Sequence, residues 1–425
     1  MRVLAICGED PEHILGGMGM HVRELYRTMA SKGVAIDLLT DGEFKPGTMA
    51  PDDSIPYLGF KKWLRDCHTC WRPSAPDMSC LLSTDLLMAK TLAKMIADGR
   101  RWDVIHMHEW GSVQLGRIAK HALNVPLIGT MHLCLSYLAS LSEGSLDLGC
   151  EADRYMCQQE GNLLCDPDET ILCSEAYVRI AREYMLVDRP YRMIYNGINR
   201  EEWNPQAGDG ARAMVTNGLT SRPIALYVGR IAEMKGIVPI LDALESCDPG
   251  WQVVLAGTVN ANSEEEKEGW HVTRRIRALE AAHPERLRWV GFKHGKPLKD
   301  LYRAATVCLM PSTHEPFGIV ALEAMAMGVP LISTEVDGLG EIVCSGSGEY
   351  ALIIPPGDAS AIVEALRHLE RPELRADLRE LGLERAAEFT WERAADETLT
   401  VYNEAVRNHA SRSKHPHRAC NLTLC

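Results

Sequence analysis

The sequence predicts an α/β protein built from two Rossmann-like domains, each a doubly wound parallel sheet. Three observations predict it. The chain has 425 residues, more than a single hydrophobic core usually organises. Short apolar runs of strand length alternate with segments of helical periodicity. The alternation lapses at residues 201–222, where a run from Trp203 to Gly210 supplies turn residues, and then restarts.

The order of these runs divides the chain. In the first half, strands are predicted at 3–7, 34–40, 104–107, 126–130, 170–173 and 191–195, and helices at 18–32, 84–97 and 176–184. In the second half, strands are predicted at 224–228, 251–256, 287–290, 307–310, 330–333 and 351–354. We therefore place a first domain at 1–200, a linker at 201–222, a second domain at 223–390, a last helix at 391–408, and a disordered basic tail at 409–425.

Charge and hydropathy limit the function. The formal net charge of −13 argues against a nucleic-acid partner and requires a local basic site for any anionic substrate. The apolar N-terminal run is too short for a signal peptide, and no apolar stretch reaches 18 residues. We expect a cytoplasmic protein without integral membrane association, for which a homo-oligomer remains open.

Fourteen cysteines are expected to be reduced thiols in a chain without a secretory signal. Cys67 and Cys70, with Cys80 beyond them, have a spacing that could chelate zinc, but a second pair is missing. We therefore expect a loop with unligated thiols and no metal site.

The strongest motif is His314-Glu315-Pro-Phe317-Gly318-Ile319, followed by Glu323. Proline suits a first helical turn, so Glu315 is predicted at a helix N-terminus and Glu323 two turns further on. A helix start favours an anion, and carboxylates accept hydrogen bonds from hydroxyls. A diphosphate joined to sugars fits both features.

The second motif is Tyr227-Val-Gly-Arg230 with Lys235 five residues on, directly after a predicted strand. Two cations there can neutralise a pyrophosphate and the charge that develops on it as a leaving group. This is the basic site that an acidic chain needs for an anionic substrate.

Together, Gly-Arg-x4-Lys-Gly and Glu-Pro-Phe-Gly-x4-Glu resemble the retaining glycosyltransferases of family four, near glycogen and sucrose synthases, from Met1 to about Val401. The resemblance implies the GT-B fold, with a cleft between two domains. It implies that 1–200 is the acceptor-binding domain, that 223–390 is the donor-binding domain, and that the helix at 391–408 returns to the first domain. It further implies that Glu315 contacts the donor sugar, that Glu323 contacts the ribose hydroxyls, and that Arg230 and Lys235 hold the diphosphate. Phe317, Gly318 and Ile319 are assigned to the donor site with them, and no cofactor is implied.

A glycine-rich helix start, Gly16-Gly17-Met18, lies in the first half and can bring backbone N–H groups close to a phosphate. The family uses this loop so, and also at the acceptor entrance, where Met18 would lie. Related glucan synthases place a lysine before the glycines, whereas this chain has His13, Ile14 and Leu15. That difference weakens the expectation of a glucan acceptor.

Histidines follow two predicted strands. His132 matches a family position beside the reaction centre, and we expect it to be catalytic. His106 and His108 resemble a segment at a strand's carboxyl end, where ligands gather in α/β sheets. A structural role is favoured for both, with His108 kept as an acceptor-side candidate.

Two other patterns are expected to be coincidental. Asp166-Pro-Asp168 has the spacing of a metal-binding motif from another glycosyltransferase fold, but its proline predicts a turn. Gly17-x-Gly19 with Asp41 is similar to a dinucleotide fingerprint, but it stands too far from the first strand and has Val22 at the third glycine position.

The sequence therefore predicts transfer of a sugar from a nucleotide sugar, with a small-molecule acceptor of a natural-product or aminosugar pathway favoured slightly over glucan elongation. The irregular segment 42–83 and the cysteine-bearing segment 142–168 are expected to shape the acceptor pocket. A nucleotide-sugar epimerase and a non-catalytic sugar-nucleotide sensor remain as alternatives.

Overall fold

The structure is a computed structural model, which describes residues 1–8, 16–40, 78–141, 150–259, 271–346 and 348–414. The predicted fold class is confirmed: two sheets of six parallel strands are each flanked by helices. Cys67 and Cys70 lie outside the described residues, as do most of the segment 42–83 and the side chain of Cys80.

The first sheet has the strand order β2-β1-β3-β4-β5-β6, and every neighbouring pair is parallel. Its central strands are buried on both faces, as expected of a sheet covered by helices on both sides. The strands are β1 Arg2–Cys7, β2 Ala35–Thr40, β3 Val104–His108, β4 Leu127–Met131, β5 Glu169–Leu172 and β6 Arg192–Met193.

The second sheet has the order β14-β11-β10-β7-β8-β9, again all parallel. Its strands are β7 Ile224–Val228, β8 Gln252–Ala256, β9 Leu287–Trp289, β10 Val307–Met310, β11 Leu331–Ser333 and β14 Leu352–Ile353. A short antiparallel pair, β12 Cys344–Ser345 and β13 Gly348–Glu349, stands beside it.

The helices connect these strands. They are α1 Gly17–Ser31, α2 Met78–Ala97, α3 Val113–Leu123, α4 Leu135–Ser140, α5 Glu151–Cys165, α6 Glu175–Arg179, α7 Gly210–Asn217, α8 Ile237–Ser246, α9 His271–Ala282, α10 Gly295–Ala304, α11 Ile319–Ala326, α12 Asp337–Val343, α13 Ala359–His368, α14 Pro372–Ala386 and α15 Trp391–Lys414. None of the helices in these described stretches is long and apolar enough to cross a membrane.

Each sheet reverses its strand order once, between β1 and β3 in the first domain and between β7 and β10 in the second. In open α/β sheets, ligands bind beyond the carboxyl ends of the strands at such a reversal. The segments that follow these four strands carry most of the motifs that the sequence singled out.

The last helix, α15, packs on the first domain. Trp391 and Tyr402 are buried in one hydrophobic cluster with Val3, Ala5 and Leu25 of β1 and α1. The chain crosses between domains where Ile198 pairs with Thr390, and a Cβ on Gly197 would overlap the backbone at Thr390 and Trp391. Only glycine fits this crossing.

A second contact joins the domains beside the cleft. The carboxylate of Glu341, on α12, accepts hydrogen bonds from the backbone N–H groups of Glu175 (3.0 Å) and Ala176 (2.8 Å) at the start of α6. Ser174 donates its hydroxyl to the Pro316 carbonyl oxygen over 3.0 Å. Orphan N–H groups at a helix start are thus satisfied by a side chain of the other domain.

Several predicted boundaries were wrong. The segment 201–222 contains α7, which packs on α10. Asp209 caps the start of this helix by accepting a hydrogen bond from Arg212 N–H. The predicted disordered tail begins too early, since α15 runs to Lys414. The strand expected at 191–195 is only the two-residue β6. Within the cysteine-bearing segment 142–168, residues 151–165 form α5.

Candidate active site

A cavity of about 990 Å³ lies between the two domains. It is lined from both sides, and every residue assigned to the site from the sequence contributes to its wall. These residues are Gly16, Gly17, Met18, His108, His132, Arg230, Lys235, Glu315, Phe317, Gly318, Ile319 and Glu323.

Lys235 stands at the end of a short 3-10 turn, Glu233–Lys235, which follows β7. Its ammonium donates to Glu315 Oε2 over 2.7 Å, and both side chains are about one-sixth exposed. Gly236 ends the turn with φ +74°, where a Cβ would overlap the carbonyl oxygen of Pro311. This glycine therefore lets the lysine turn pack directly against the segment after β10.

The prediction that a helix begins at Pro316 was wrong. α11 begins at Ile319, with Gly318 at its N-cap in the left-handed region, φ +107°. Glu315 thus lies in the loop before the helix, where its backbone N–H donates to Asp337 Oδ2 over 3.0 Å. The glycine bends the chain between the proline and the helix, and the N–H groups of α11 begin three residues later than predicted.

Glu323 lies in the second turn of α11 and is buried. Its Oε2 accepts a hydrogen bond from the hydroxyl of Tyr302 on α10 at 3.0 Å. Burial raises the pKa of Glu323 to about 7, although the Tyr302 hydrogen bond and the charges of Arg23 and Lys299 act in the opposite direction. Near neutral pH this group can exist as either carboxylate or acid.

Arg230 follows β7 and lines the cavity beside Lys235. The hydroxyl of Tyr227 donates to the Arg230 carbonyl oxygen over 2.5 Å, which fixes the backbone there. Within the described ranges, the guanidinium makes no ion pair; its nearest polar contact is Met234 Sδ at 4.0 Å. Arg230 therefore offers its charge to the cavity.

The glycine loop behaves as predicted at its helix start: α1 begins at Gly17, with Gly16 as its N-cap. A Cβ added at Gly17 would lie 3.9 Å from Ile319 Cδ1, which belongs to the first residue of α11. The N-terminal ends of the two helices therefore meet across the cleft. Residues 13–15, which precede this loop, are outside the described residues.

His132 lies at the carboxyl edge of the first sheet, directly after β4, and its ring contacts the preceding strand's histidine. His132 Nε2 lies 3.1 Å from His108 Nδ1, and the two rings are stacked at 5.4 Å. The backbone N–H groups of His132 and Leu133 both donate to the carboxylate of Glu109. Burial lowers the pKa of His132 and of His108 well below the usual value, so both rings are neutral.

His106 has the structural role expected of it. It is fully buried, with Nε2 at 2.7 Å from Thr130 Oγ1 and Nδ1 at 2.6 Å from the Tyr402 hydroxyl of α15. Tyr26 bridges the histidines, since its hydroxyl lies 3.0 Å from His106 Nδ1 and 2.7 Å from His108 Nε2. The network therefore connects the cleft to the last helix.

Sequence reasoning missed two residues beside His132. Glu109 was quoted within a motif but given no role, although its carboxylate fixes the loop after β4; burial raises its pKa to about 8. His21, on α1, has its ring centroid 4.4 Å from that of His132. No motif contains His21, because its partners come from strands 87 and more residues away.

On the first domain, the cavity wall also carries polar groups that the sequence did not indicate: Asp85, Gln114 and Tyr155. The Tyr155 hydroxyl donates to Asp85 Oδ2 over 3.3 Å, and Gln114 donates from Nε2 to Gln159 Oε1 over 3.0 Å. Burial raises the pKa of Asp85 to about 6. These side chains can hydrogen-bond a polyhydroxylated molecule.

Asp166 and Asp168 serve the fold. Asp168 Oδ2 accepts from the backbone N–H of Leu127 and from Lys120, both at 2.9 Å. Asp166 is paired with Arg117 at 2.6 Å. Among the described residues, the group that could hold a metal ion is instead the cluster of His21, His108 and His132.

The GT-B fold carries two charged pairs in its cleft, the cations Arg230 and Lys235 and the carboxyl groups of Glu315 and Glu323. Together, this fold and these pairs define a glycosyltransferase. Comparison with known families agrees: residues 16–197 match the model described as glycosyl transferase 4-like domain, and residues 214–385 match glycosyl transferases group 1.

Individual relatives match over nearly the whole chain. The D-inositol 3-phosphate glycosyltransferase of Acidothermus cellulolyticus is 30% identical over 407 residues, 92% of this chain and 86% of that protein. The alpha-maltose-1-phosphate synthase of Mycobacterium tuberculosis is 28% identical over 419 residues, 95% of this chain and 99% of its own length.

Among solved structures, sucrose-phosphate synthase from Thermosynechococcus elongatus superposes with a TM-score of 0.75 at 26% identity, covering 96% of this chain and all of that one. The chain belongs to family four of the GT-B glycosyltransferases, enzymes that use a nucleotide-sugar donor.

Proposed function

We propose that this chain transfers a sugar, with retained anomeric configuration, from a nucleotide-diphosphate sugar to a hydroxyl of a small polyhydroxylated acceptor. The single observation that carries the proposal is the division of the cleft. Arg230, Lys235, Glu315 and Glu323 line it on one domain, and the polar wall of Asp85, Gln114 and Tyr155 lines it on the other.

The charges on the second domain suit the donor. Arg230 and Lys235 are cations five residues apart on the segment that follows β7. A diphosphate needs such charges during binding and as a leaving group. In this proposal Lys235 exchanges its bond with Glu315 for the diphosphate, which frees the Glu315 carboxylate to accept hydrogen bonds from sugar hydroxyls. Glu323 accepts hydrogen bonds from the ribose, oriented by Tyr302.

Retention follows from the resemblance to family four, which implies attack on the face that the diphosphate leaves. The departing phosphate then takes the acceptor proton, and the protein contributes charge stabilisation and positioning. His132, neutral and held by Glu109 through its backbone, offers a polar contact for the reacting sugar. The proposed reaction needs no cofactor.

A small acceptor is supported by the relatives' names, which refer to inositol 3-phosphate, maltose-1-phosphate and sucrose-phosphate, all small molecules. The wall formed by Asp85, Gln114 and Tyr155 supports it from the structure, since these neutral or acidic groups pair with hydroxyls. Arg23 and Arg27 also line the cleft but are paired with Glu24.

The test has two stages. First, UDP-, GDP- and ADP-sugars are screened for thermal stabilisation, because a ligand at 100 times its dissociation constant adds about 2.7 kcal/mol to stability. A donor that stabilises is then incubated with inositols, hexoses, aminosugars, their phosphates and a maltooligosaccharide. We expect transfer to a small acceptor and an NMR coupling constant that shows the donor's anomeric configuration.

Each alternative gives a different result. Inversion at the anomeric carbon would contradict the retaining mechanism. Elongation of the maltooligosaccharide alone would identify a glucan synthase. Conversion of the donor sugar without an acceptor would identify an epimerase, and binding without turnover would identify a sensor.

A further inference from the structure

Three histidines from three separate elements converge at the edge of the cleft. His21 comes from α1, His108 ends β3 and His132 follows β4. One ring nitrogen of each lies within 4.8 Å of the corresponding nitrogens of the other two, a spacing that a single metal ion could bridge. The three centroid separations are 4.4, 5.4 and 5.5 Å.

The ring of His21 carries an unused lone pair. Its Nδ1 donates to Asn196 Oδ1 over 2.6 Å, which leaves Nε2 as the unprotonated nitrogen of a neutral ring. That Nε2 is buried and, among the described residues, has no hydrogen-bond partner. His21 itself is 6% exposed. A buried acceptor without a donor is rare in proteins and calls for a partner that the residues around it do not supply.

The outer contacts of the cluster are those of metal-binding histidines. Such residues usually donate the second ring N–H to an oxygen, which fixes the tautomer and directs the other nitrogen at the ion. Asn196 Oδ1 accepts such a hydrogen bond from His21 Nδ1, and the Tyr26 hydroxyl lies 2.7 Å from His108 Nε2. The ring nitrogens His108 Nδ1 and His132 Nε2 face each other at 3.1 Å.

We propose that His21, His108 and His132 form a binding site for a divalent transition-metal ion, zinc foremost, and that occupation of this site inhibits sugar transfer. The ion takes His21 Nε2, His108 Nδ1 and His132 Nε2 as ligands. The single proton that the last two share moves to the other nitrogen of its own ring, so that all three ligands are neutral imidazoles. Imidazole is a preferred ligand of zinc, nickel and copper, and three ligands with an open fourth position are common for zinc.

The required movement is small. Zinc–nitrogen bonds of 2.0–2.1 Å in a tetrahedron place the nitrogens about 3.3 Å apart. Separations of no more than 4.8 Å therefore shrink by at most about 1.5 Å. An entry path exists, since His108 and His132 both line the cleft.

Inhibition follows from the position of the ion. A bound metal ion occupies His132 Nε2 and adds positive charge on the acceptor side of the cleft. The ion then occupies space beside His132 that the reacting sugar needs, so that transfer is blocked. The inhibition rests on the proposed function, whereas metal binding does not.

The experiment uses the full chain, stripped of metal with a chelator and carrying Cys67→Ser and Cys70→Ser, so that the thiol pair in the sequence cannot contribute. Cobalt(II) is titrated and followed by its visible absorption, because imidazole-bound and thiolate-bound cobalt have different spectra. We expect one equivalent with a nitrogen-ligand spectrum, which zinc displaces. His21→Gln should weaken cobalt binding more than 100-fold. Asn196→Ala, which removes only the outer contact, should weaken it about 10- to 100-fold.

The matched control is His121→Ala, an exposed histidine of the same domain, which should bind cobalt as the parent does. Circular dichroism of each variant establishes that it is folded; if His21→Gln is not, the Asn196→Ala result decides. Unchanged binding in the decisive variant, or no nitrogen-ligand spectrum at all, would overturn the site.

Transfer is assayed in parallel with and without zinc. We expect zinc at its binding concentration to abolish transfer by the parent and to be at least tenfold less effective on His21→Gln or Asn196→Ala, whichever retains activity. Equal zinc sensitivity would overturn the inhibitory role. If the parent shows no transfer with any donor, the proposed function fails, while the cobalt titration still decides the site.

Discussion

Lys235 donates a hydrogen bond from Nζ to Glu315 Oε2 over 2.7 Å, joining two residues that stand 80 positions apart. The pair explains how a largely buried lysine and a largely buried glutamate coexist at the wall of the cleft, since each neutralises the other. In the proposed function, a donor diphosphate competes with Glu315 for the ammonium, and donor binding rearranges the pair.

Replacing Lys235 by alanine removes the cation that we assign to the leaving diphosphate. Loss of one such stabilising group lowers kcat by about 10²- to 10³-fold in comparable sites. We expect that decrease in steady-state assays, with a far-UV spectrum like that of the parent. Lys296→Ala is the control, because this exposed lysine lies on α10 away from Glu315. A Lys235→Ala enzyme with near-normal kcat would contradict the assignment.

Glu323 should make donor binding depend on pH. Its pKa is raised to about 7 by burial, and only the carboxylate form accepts two hydrogen bonds from ribose hydroxyls. Between pH 6 and pH 8 the ionised fraction rises about tenfold, so donor affinity should rise by about that factor. A nucleotide-diphosphate sugar is the suitable probe, because its diester phosphates do not titrate in this range.

The same shift has the opposite sign for stability without donor. The folded state holds the Glu323 proton up to about pH 7, whereas the unfolded chain releases it near 4.5. The folded state therefore binds more protons in this window, and the contribution of Glu323 to the free energy of unfolding falls as pH rises from 4.5 to 7. Glu323→Gln should flatten both profiles; if the donor affinity of this variant keeps the slope of the parent, another group is responsible.

The sequence predicted most of the fold and picked out residues that line the cleft, because both depend on local patterns. Buried parallel strands are continuous apolar runs, and the glycine, arginine, lysine and glutamate motifs stand directly after them. The helix start at Ile319 was misplaced since a proline is compatible with a first turn, whereas the positive φ of Gly318 is visible only in three dimensions. The helix start was predicted from the proline, whereas the backbone conformation of Gly318 determines where the helix begins.

What the sequence could not predict is pairing across elements. The bond between Lys235 and Glu315, the approach of His21 to His132 and the contact of Tyr155 with Asp85 all depend on how helices and strands pack. No spacing rule connects residues that are 70 to 111 positions apart. Asp85 lies within the predicted helix 84–97, but its place in the cavity wall depends on how this helix packs against α5, which carries Tyr155.

The turn that carries Lys235 should be unusually sensitive at Gly236. Gly236 and Gly250 have similar positive φ angles, +74° and +79°, but a Cβ on Gly236 would overlap Pro311, whereas nothing lies within 4 Å of a Cβ on Gly250. Gly250→Ala should cost about 1–2 kcal/mol of stability, from the left-handed conformation alone. Gly236→Ala should lower stability further and reduce transfer, because the overlap displaces Lys235. Denaturant unfolding compares the two, and equal losses would show that the overlap is relieved without consequence.

Asp85 should control the acceptor and leave the donor unaffected. Its carboxylate lines the first domain's side of the cleft and receives the Tyr155 hydroxyl, so in the ionised form it can accept hydrogen bonds from acceptor hydroxyls. Loss of a hydrogen bond to a charged group is worth about 1.5–3 kcal/mol, which corresponds to roughly a 10- to 100-fold rise in the acceptor KM for Asp85→Asn. The donor dissociation constant should not change.

Because burial raises the pKa of Asp85 to about 6, the acceptor KM of the parent should also rise as the pH falls through 6, and this rise should be absent in Asp85→Asn. Asp98→Asn, at the exposed end of the same helix, is the matched control. If Asp85→Asn weakens donor binding and acceptor binding alike, the carboxylate acts on the whole cleft, and its assignment to the acceptor is wrong.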